Sequence, residues 1–170
     1  MILPIKIYPE KILRKKVEKV VDIKDKKFQQ LILDLAETMK KKDGAGLAAP
    51  QVGESLQMVV INTKDGVLAL INPKILFKSF KKEFGEEGCL SFPGIFGEVR
   101  RPLKILVLAR NKNGKLVHFT AKGLFARVIC HEVDHLNGVL FIDKVRKITK
   151  GKKELESLES HNTEHITHIT

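Results

Sequence analysis

Residues 131–135 read His131-Glu132-Val133-Asp134-His135, the stretch of this chain best suited to chemistry. At 3.6 residues per turn, histidines four apart stand one above the other on one helical face. Both imidazoles can then reach one metal ion, and Glu132 can reach a water bound to it. This is the H-E-x-x-H arrangement of metal-dependent hydrolases. The alternative is an ordinary helix carrying two surface histidines. Leu124, Phe125, Val128, Ile129 and Leu136 recur at helical spacing around the motif, and Asn137-Gly138 supplies a C-terminal stop, so the spacing predicts a buried helix.

A catalytic site of this type needs one more protein ligand and an open position for water. An extended motif, H-E-x-x-H-x-x-G-x-x-H, is matched through Gly138, but its last position is Phe141, which cannot ligate. A downstream glutamate is a second source, with Glu154 or Glu156 at suitable separation in a lysine-rich segment that gives a rigid site poor support. The third source is Cys89, in Glu86-Glu87-Gly88-Cys89-Leu90-Ser91. A thiolate is a strong ligand for zinc or iron, and flanking glycine lets the backbone come close. Cys89 is the best of the three.

The elements that must position these residues can be read in turn. Residues 1–22 suggest an extended arm with a short turn. From Asp25 to about Lys42, Phe28, Leu31, Ile32, Leu35 and Met39 predict a helix, with Lys40 to Lys42 at its negative end. Strands are predicted over 56–61, 67–71 and 75–80, bounded by Asp65-Gly66 and Asn72-Pro73. Residues 85–98, which carry Gly85, Gly88, Pro93, Gly94 and Gly97, read as irregular. Two runs, 103–109 and 115–121, flank Asn113-Gly114, a hairpin signal whose two central positions favour φ > 0. Residues 139–142 form a short apolar return, and 147–160 read as a polar helix anchored only by Leu155 and Leu158. Residues 161–170 read as unstructured, and His161, His165 and His168 as part of a flexible tail or tag remnant rather than a metal site. The expected class is α+β, with antiparallel β-sheets packed around a central H-E-x-x-H helix, an N-terminal helix and a weakly anchored C-terminal helix.

With 170 residues, 43% hydrophobic, the chain can bury a core as one domain. No apolar run approaches the ~20 residues that span a bilayer, so no membrane association is expected. The first residues show no secretory signal, and two cysteines, Cys89 and Cys130, read as thiols, which makes the cytoplasm the expected compartment. A net charge of +11, clustered at Arg14-Lys15-Lys16, Lys40-Lys41-Lys42, Lys81-Lys82, Arg100-Arg101 and 147–153, favours polyanions such as RNA. A lysine- and glutamate-rich solvated surface explains the same charge equally well, and no nucleic-acid-binding motif is present.

Three segments together resemble peptide deformylase. Gly44-Ala45-Gly46-Leu47-Ala48-Ala49-Pro50-Gln51 is similar to that family's G-x-G-L-A-A-x-Q, Glu87-Gly88-Cys89-Leu90-Ser91 to its E-G-C-x-S, and His131-Glu132-Val133-Asp134-His135 to its Q-H-E-x-D-H. Tyr8-Pro9 followed by Leu13-Arg14 is similar as well, and the likeness runs from about residue 3 to Asp143. One departure stands out: Cys130 occupies the usual glutamine position. It reads either as a small buried apolar residue or as an altered contact near the pocket, including an oxidation partner for Cys89.

The resemblance implies a catalytic domain over 1–150 followed by a basic-to-polar extension over 151–170, helical then disordered. It implies hydrolysis of the formyl group from the N-terminal formyl-methionine of newly made polypeptides. Cys89, His131 and His135 would hold the metal, Fe2+ by family likeness, with Zn2+, Ni2+ or Co2+ as substitutes. Glu132 would move the proton, and the Gln51 side-chain amide with the Leu90 backbone N–H would stabilise the oxyanion. Ala45, Gly46, Glu87, Gly88, Leu124 and Val128 would bind substrate, Gly44 and Gly46 leaving room for an extended peptide backbone. Arg127 would contact a later substrate residue or reach solvent. Two rivals remain: an H-E-x-x-H endopeptidase with a downstream ligand, and a basic RNA- or ribosome-binding domain with a structural metal. Ribosome contact through the basic surface is compatible with the deformylase reading.

Overall fold

A computed structural model describes residues 1–164, with side chains through residue 160. Helix α1 (Lys26–Lys41) begins where Asp25 accepts a hydrogen bond from the Phe28 N–H at 2.9 Å, a cap worth about 1 kcal/mol. Its buried stripe of Phe28, Ile32, Leu35 and Met39 packs on strands β2 (Met58–Thr63) and β3 (Gly66–Lys78) through Met58, Val60, Ala69 and Ile71. The alternate residues Val59, Ile61 and Leu70 face the other way, toward Ala126, Ile129 and Leu136 of helix α2 (Gly123–Leu136). Strands buried on both faces carry continuous apolar runs, which is why 58–61 is Met-Val-Val-Ile.

The sheets are antiparallel throughout. Five strands lie in the order β1-β2-β3-β6-β7, with β1 spanning Gly46–Ala48, β6 Lys104–Arg110 and β7 Leu116–Lys122. A second sheet holds β4 (Lys82–Cys89), β5 (Phe92–Pro102) and β8 (Val145–Lys150) in the order β4-β5-β8. Helix α2 contacts β1, β2, β6 and β7 of the first sheet and β5 of the second. A third cluster, Tyr8, Leu13, Phe92, Ile95, Val99, Leu140 and Phe141, fills the second sheet's inner side. Helix α3 (Lys152–Glu164) leans on that cluster through Leu155 and Leu158.

Several expectations change. Residues 85–98 are two paired strands, not an irregular loop, because their glycines admit neighbouring side chains. Asn72-Pro73 does not end a strand: β3 runs through it with a register shift, Asn72 at φ +51°. The Asn72 side chain compensates by accepting the Val20 N–H and donating to the Val20 carbonyl, each at 2.9 Å. Part of the segment read as helix, 147–150, belongs to β8. At the 110–116 hairpin only Gly114 takes positive φ, and the Asn111 N–H donates to the Lys115 carbonyl across a three-residue loop. Residues 161–164 continue α3 instead of being unstructured. His165 and His168 lie outside the described residues, as does the side chain of His161.

Candidate metal centre

The site is assembled from three places in the chain. Strand β4 ends at Cys89, which pairs with Phe92 across a tight Leu90-Ser91 turn. Helix α2 presents His131, Glu132 and His135, buried to 8%, 4% and 1% exposure. The short 3-10 helix Ala49–Val52, which follows β1, brings in Gln51 at 2% exposure.

One ligand atom from each of Cys89, His131 and His135 lies within 4.8 Å of the others, the one such group of three among the described residues. Cys89 Sγ sits 3.3 Å from His135 Nε2. A sulfur and a nitrogen on one tetrahedral zinc-like ion stand about 3.5 Å apart, so this spacing is that of shared ligands. Two buried polar atoms beside the trio, Glu132 Oε2 and His135 Nδ1, have no protein partner. An orphaned carboxylate oxygen beside a Cys-His-His set fits a site built for a metal and a water. Glu154 and Glu156 are exposed on α3 and Phe141 stacks against the His131 ring, so none of them supplies a third ligand.

Behind the ligands lies a buried ionic network that the sequence reading missed. Arg101 grips Glu87 with Nε to Oε1 at 2.8 Å and Nη2 to Oε2 at 2.9 Å, while Arg127 Nη1 reaches Oε1 at 2.9 Å. Burial pushes the Glu87 carboxyl up, but the Arg101 and His131 hydrogen bonds outweigh it and bring it down to about 2. Glu87 is therefore an anion, and His131 Nδ1, 3.0 Å from Oε2, must donate to it. Burial pushes His131 down, but its hydrogen bonds to Cys89 and Glu87 outweigh this and hold it well above the usual imidazole range, so Nε2 carries a proton that a metal would displace. Burial, reinforced by repulsion from the His131 cation, holds His135 well below the usual imidazole range, so His135 is neutral. Burial also pushes Glu132 up to about 7.

Arg127 does not reach solvent. It is 7% exposed and also donates to the carbonyls of Val99, Glu83 and Gly85. The signal for it was its place one helical turn before His131, on the same face. Glu87 lines the cleft, yet both its oxygens are held by protein partners. Gln51 accepts the Ala48 N–H at 2.9 Å with its amide oxygen, which fixes the NH2 toward Cys89 Sγ and Ser91 Oγ, 3.3 Å from each. A Cβ on Gly46 would fall 2.5 Å from Glu132 Oε1, so the space its missing side chain leaves belongs to Glu132, not to a substrate.

A cleft of about 620 Å³ gathers Ala45, Gly46, Gln51, Glu87, Gly88, Cys89, Leu90, Leu124, Val128, His131 and Glu132, with His135 below it. Leu124 is 74% exposed, against the buried position its spacing predicts; it stands where this cleft meets an apolar hollow that Ala45 and Val128 also line. Cys130 is 4% exposed among the apolar residues behind the helix, its thiol pushed up by burial, and Cys89 packs in a different cluster.

The family model described as polypeptide deformylase matches residues 2–151. The chain belongs to this family. Peptide deformylase 1 of Bacillus anthracis is 48% identical over 157 residues, covering 91% of this chain and 99% of that one. The crystal structure of the Thermotoga maritima deformylase superposes with a TM-score of 0.84 at 42% identity, covering 86% and 99% of the two chains. The Acinetobacter baumannii deformylase, solved with Met-Ala-Ser bound, gives 0.82 at 32% identity, over 85% and 99%. A deformylase is a metal-dependent hydrolase, removing the N-formyl group from the start of newly synthesised proteins, and this chain is such an enzyme. The endopeptidase alternative is not favoured. Among the described residues, no helix is long and apolar enough to cross a membrane.

Proposed function

We propose that Cys89, His131 and His135 hold the deformylase metal, Fe2+ natively with Zn2+, Ni2+ or Co2+ as substitutes, and that Glu132 moves the proton. The observation that carries this is the convergence of the three ligand atoms beside an orphaned Glu132 oxygen. When bound, the ion supplies Lewis acidity, acidifying a water and polarising the formyl group. Glu132 takes the proton from the attacking water and returns it to the departing amine nitrogen. Its carboxyl, at about 7, is matched to that task at neutral pH. The Gln51 NH2 and the Leu90 backbone N–H donate to the formyl oxygen as charge develops there. Since Ala48 already holds the other end of the Gln51 amide, the donor needs no reorganisation.

Glu87 orients His131 rather than touching substrate. Ala45, Leu124 and Val128 form the slot for the methionine side chain, and the backbones at Gly46 and Gly88 line the peptide's path. The Met-Ala-Ser bound to the Acinetobacter baumannii enzyme is what formyl-Met-Ala-Ser leaves after hydrolysis, and supports a formylated nascent chain as the occupant. We place the reaction in the cytoplasm, assign catalysis to 1–150 with α2 as the frame between the sheets, and treat 151–170 as an extension. Lysines of 147–153 contact the ribosome in this reading.

Formate release from formyl-Met-Ala-Ser, with metal analysis, tests the assignment. Cys89→Ala should lose both metal and activity; a variant keeping both would sink it. Anaerobic loading with iron should give faster turnover than zinc, and equal or slower turnover would remove iron.

A further inference from the structure

On the side of α2 away from Glu132 lies a second cavity, about 840 Å³, floored by Cys130, Val133 and Asp134. Its walls bring together cations from four parts of the chain: Lys16 and Lys19 of the N-terminal arm, Lys74 and Lys78 of β3, Lys82 of β4 and Arg100 of β5. Among the described residues none of these six has a carboxylate partner, since Asp134, the one acid in the wall, is taken by Arg101 at 2.5 Å and Lys144 at 2.6 Å. Six like charges without a carboxylate, Arg100 being met only by the Phe84 ring, repel one another around one concavity, and an anion drawn into it relieves that repulsion.

A second observation says what kind of anion. The turn between β3 and β4 is Ser79-Phe80-Lys81, and the Phe80 ring is 97% exposed, two residues from each of the wall lysines Lys78 and Lys82. Nothing apolar covers it, so for the fold alone a polar residue would serve better. Phe80 does not itself line the cavity, but the turn that carries it joins two lysine-bearing wall strands, and a basic groove with a bare aromatic ring close by is how proteins hold single-stranded nucleic acid: cations track the phosphates, and the ring stacks on a base. A small phosphate compound would use the cations and leave the ring idle.

We infer that this cavity binds single-stranded RNA, with Lys16, Lys19, Lys74, Lys78, Lys82 and Arg100 on the phosphates and Phe80 stacked on a base. The site is separate from the metal centre and from the lysines of 147–153.

The test uses the metal-loaded full chain and a fluorescein-labelled oligo-uridylate of about 12 nucleotides, within the span of such sites, read by anisotropy across a salt series. Each neutralised phosphate contributes about −0.7 to the log–log salt slope for a single strand, so replacing Lys74, Lys78 and Lys82 together by alanine should flatten the slope by ~2. Phe80→Ala should weaken binding about fivefold or more with the slope unchanged, because stacking is not electrostatic. Lys24→Ala, Lys26→Ala and Lys27→Ala, combined as a control outside the cavity, should flatten the slope by much less. An unchanged thermal midpoint certifies each variant's fold.

Equal effects from the two lysine sets, or no effect from Phe80→Ala, would overturn the proposal. Displacement of the RNA by inorganic pyrophosphate at matched phosphate concentration, or equally tight binding of an acidic peptide, would also overturn it. Formate release plays no part in this readout, so failure here leaves the deformylase assignment standing.

Discussion

Two hairpins in this enzyme use glycine for opposite ends. In β6–β7 the strands alternate: Ile105, Val107 and Ala109 point into the core while Lys104 and Arg110 stay in water. Its one glycine with positive φ, Gly114, only turns the chain, and a Cβ there would meet nothing nearer than Ile23 at 4.0 Å. In β4–β5 three glycines, Gly85, Gly88 and Gly97, lie inside the strands and their missing side chains are replaced by neighbours. A Cβ would fall 2.8 Å from the Arg127 guanidinium at Gly85, 2.6 Å from the Phe96 ring at Gly88 and 2.2 Å from Val145 at Gly97. One hairpin is shaped by its turn. The other is shaped by what must fit against it, including the arginine that helps hold Glu87 and the cysteine at its end. Substitutions in β4–β5 should therefore reach the chemistry, and those in β6–β7 should stop at stability.

The largest effect is expected where a glycine yields its space to Glu132, the carboxylate proposed to move the proton. Gly46→Ala would press on Glu132 Oε1 and shift it by about 1 Å, and misplacement of that size costs roughly 10²-fold in rate. Metal content should hold, because the atoms nearest the added Cβ all belong to Glu132 and not to the proposed ligands Cys89, His131 and His135. Formate release within a few-fold of wild type would show that Glu132 has room to spare. Next comes Glu87→Gln in β4, which removes the anion that fixes the His131 tautomer. Loss of such a partner typically costs about 10–100-fold in metal affinity. Competition with a chelator measures it, and unchanged affinity would demote the Glu87 network to a purely structural one. Gly88→Ala follows, an overpacking change against Phe96 that should cost about 1–3 kcal/mol in urea unfolding.

The same contrast explains which parts could be read from the residues alone. Periodicity reports a face buried against a uniform core, so α1, β2 and the 103–121 hairpin were legible, as was the H-E-x-x-H helix. In β4 and β5 the pattern is set by individual neighbours far away in sequence: Arg127, Phe96 and Val145 each claim a position. Glycine there looked like a loop signal because only the fold reveals what fills the gap. Arg127 and Arg101 were missed for the matching reason, since a charged residue reads as exposed until its buried partner, Glu87, is placed beside it. Leu124 failed in the opposite sense: helical spacing put it inward, but it lies in the first turn of α2, at the mouth of the cleft, where no strand covers it.

The smallest effect should come from Gly114→Ala in the β6–β7 turn. With φ at +80° an alanine there pays only backbone strain, about 1–2 kcal/mol, because no neighbour is displaced. For a chain of this size that lowers the thermal midpoint by roughly 2–8 °C. Gly114→Asn should cost less, since asparagine tolerates the left-handed region. Formate release at a temperature where both variants are folded should match wild type. A fall of tenfold in Gly114→Ala would mean that strain in this turn travels down β7 into α2, which begins at Gly123 directly after that strand. The division between a hairpin serving the fold and a hairpin serving the site would then fail, because both would control the helix that carries His131 and Glu132.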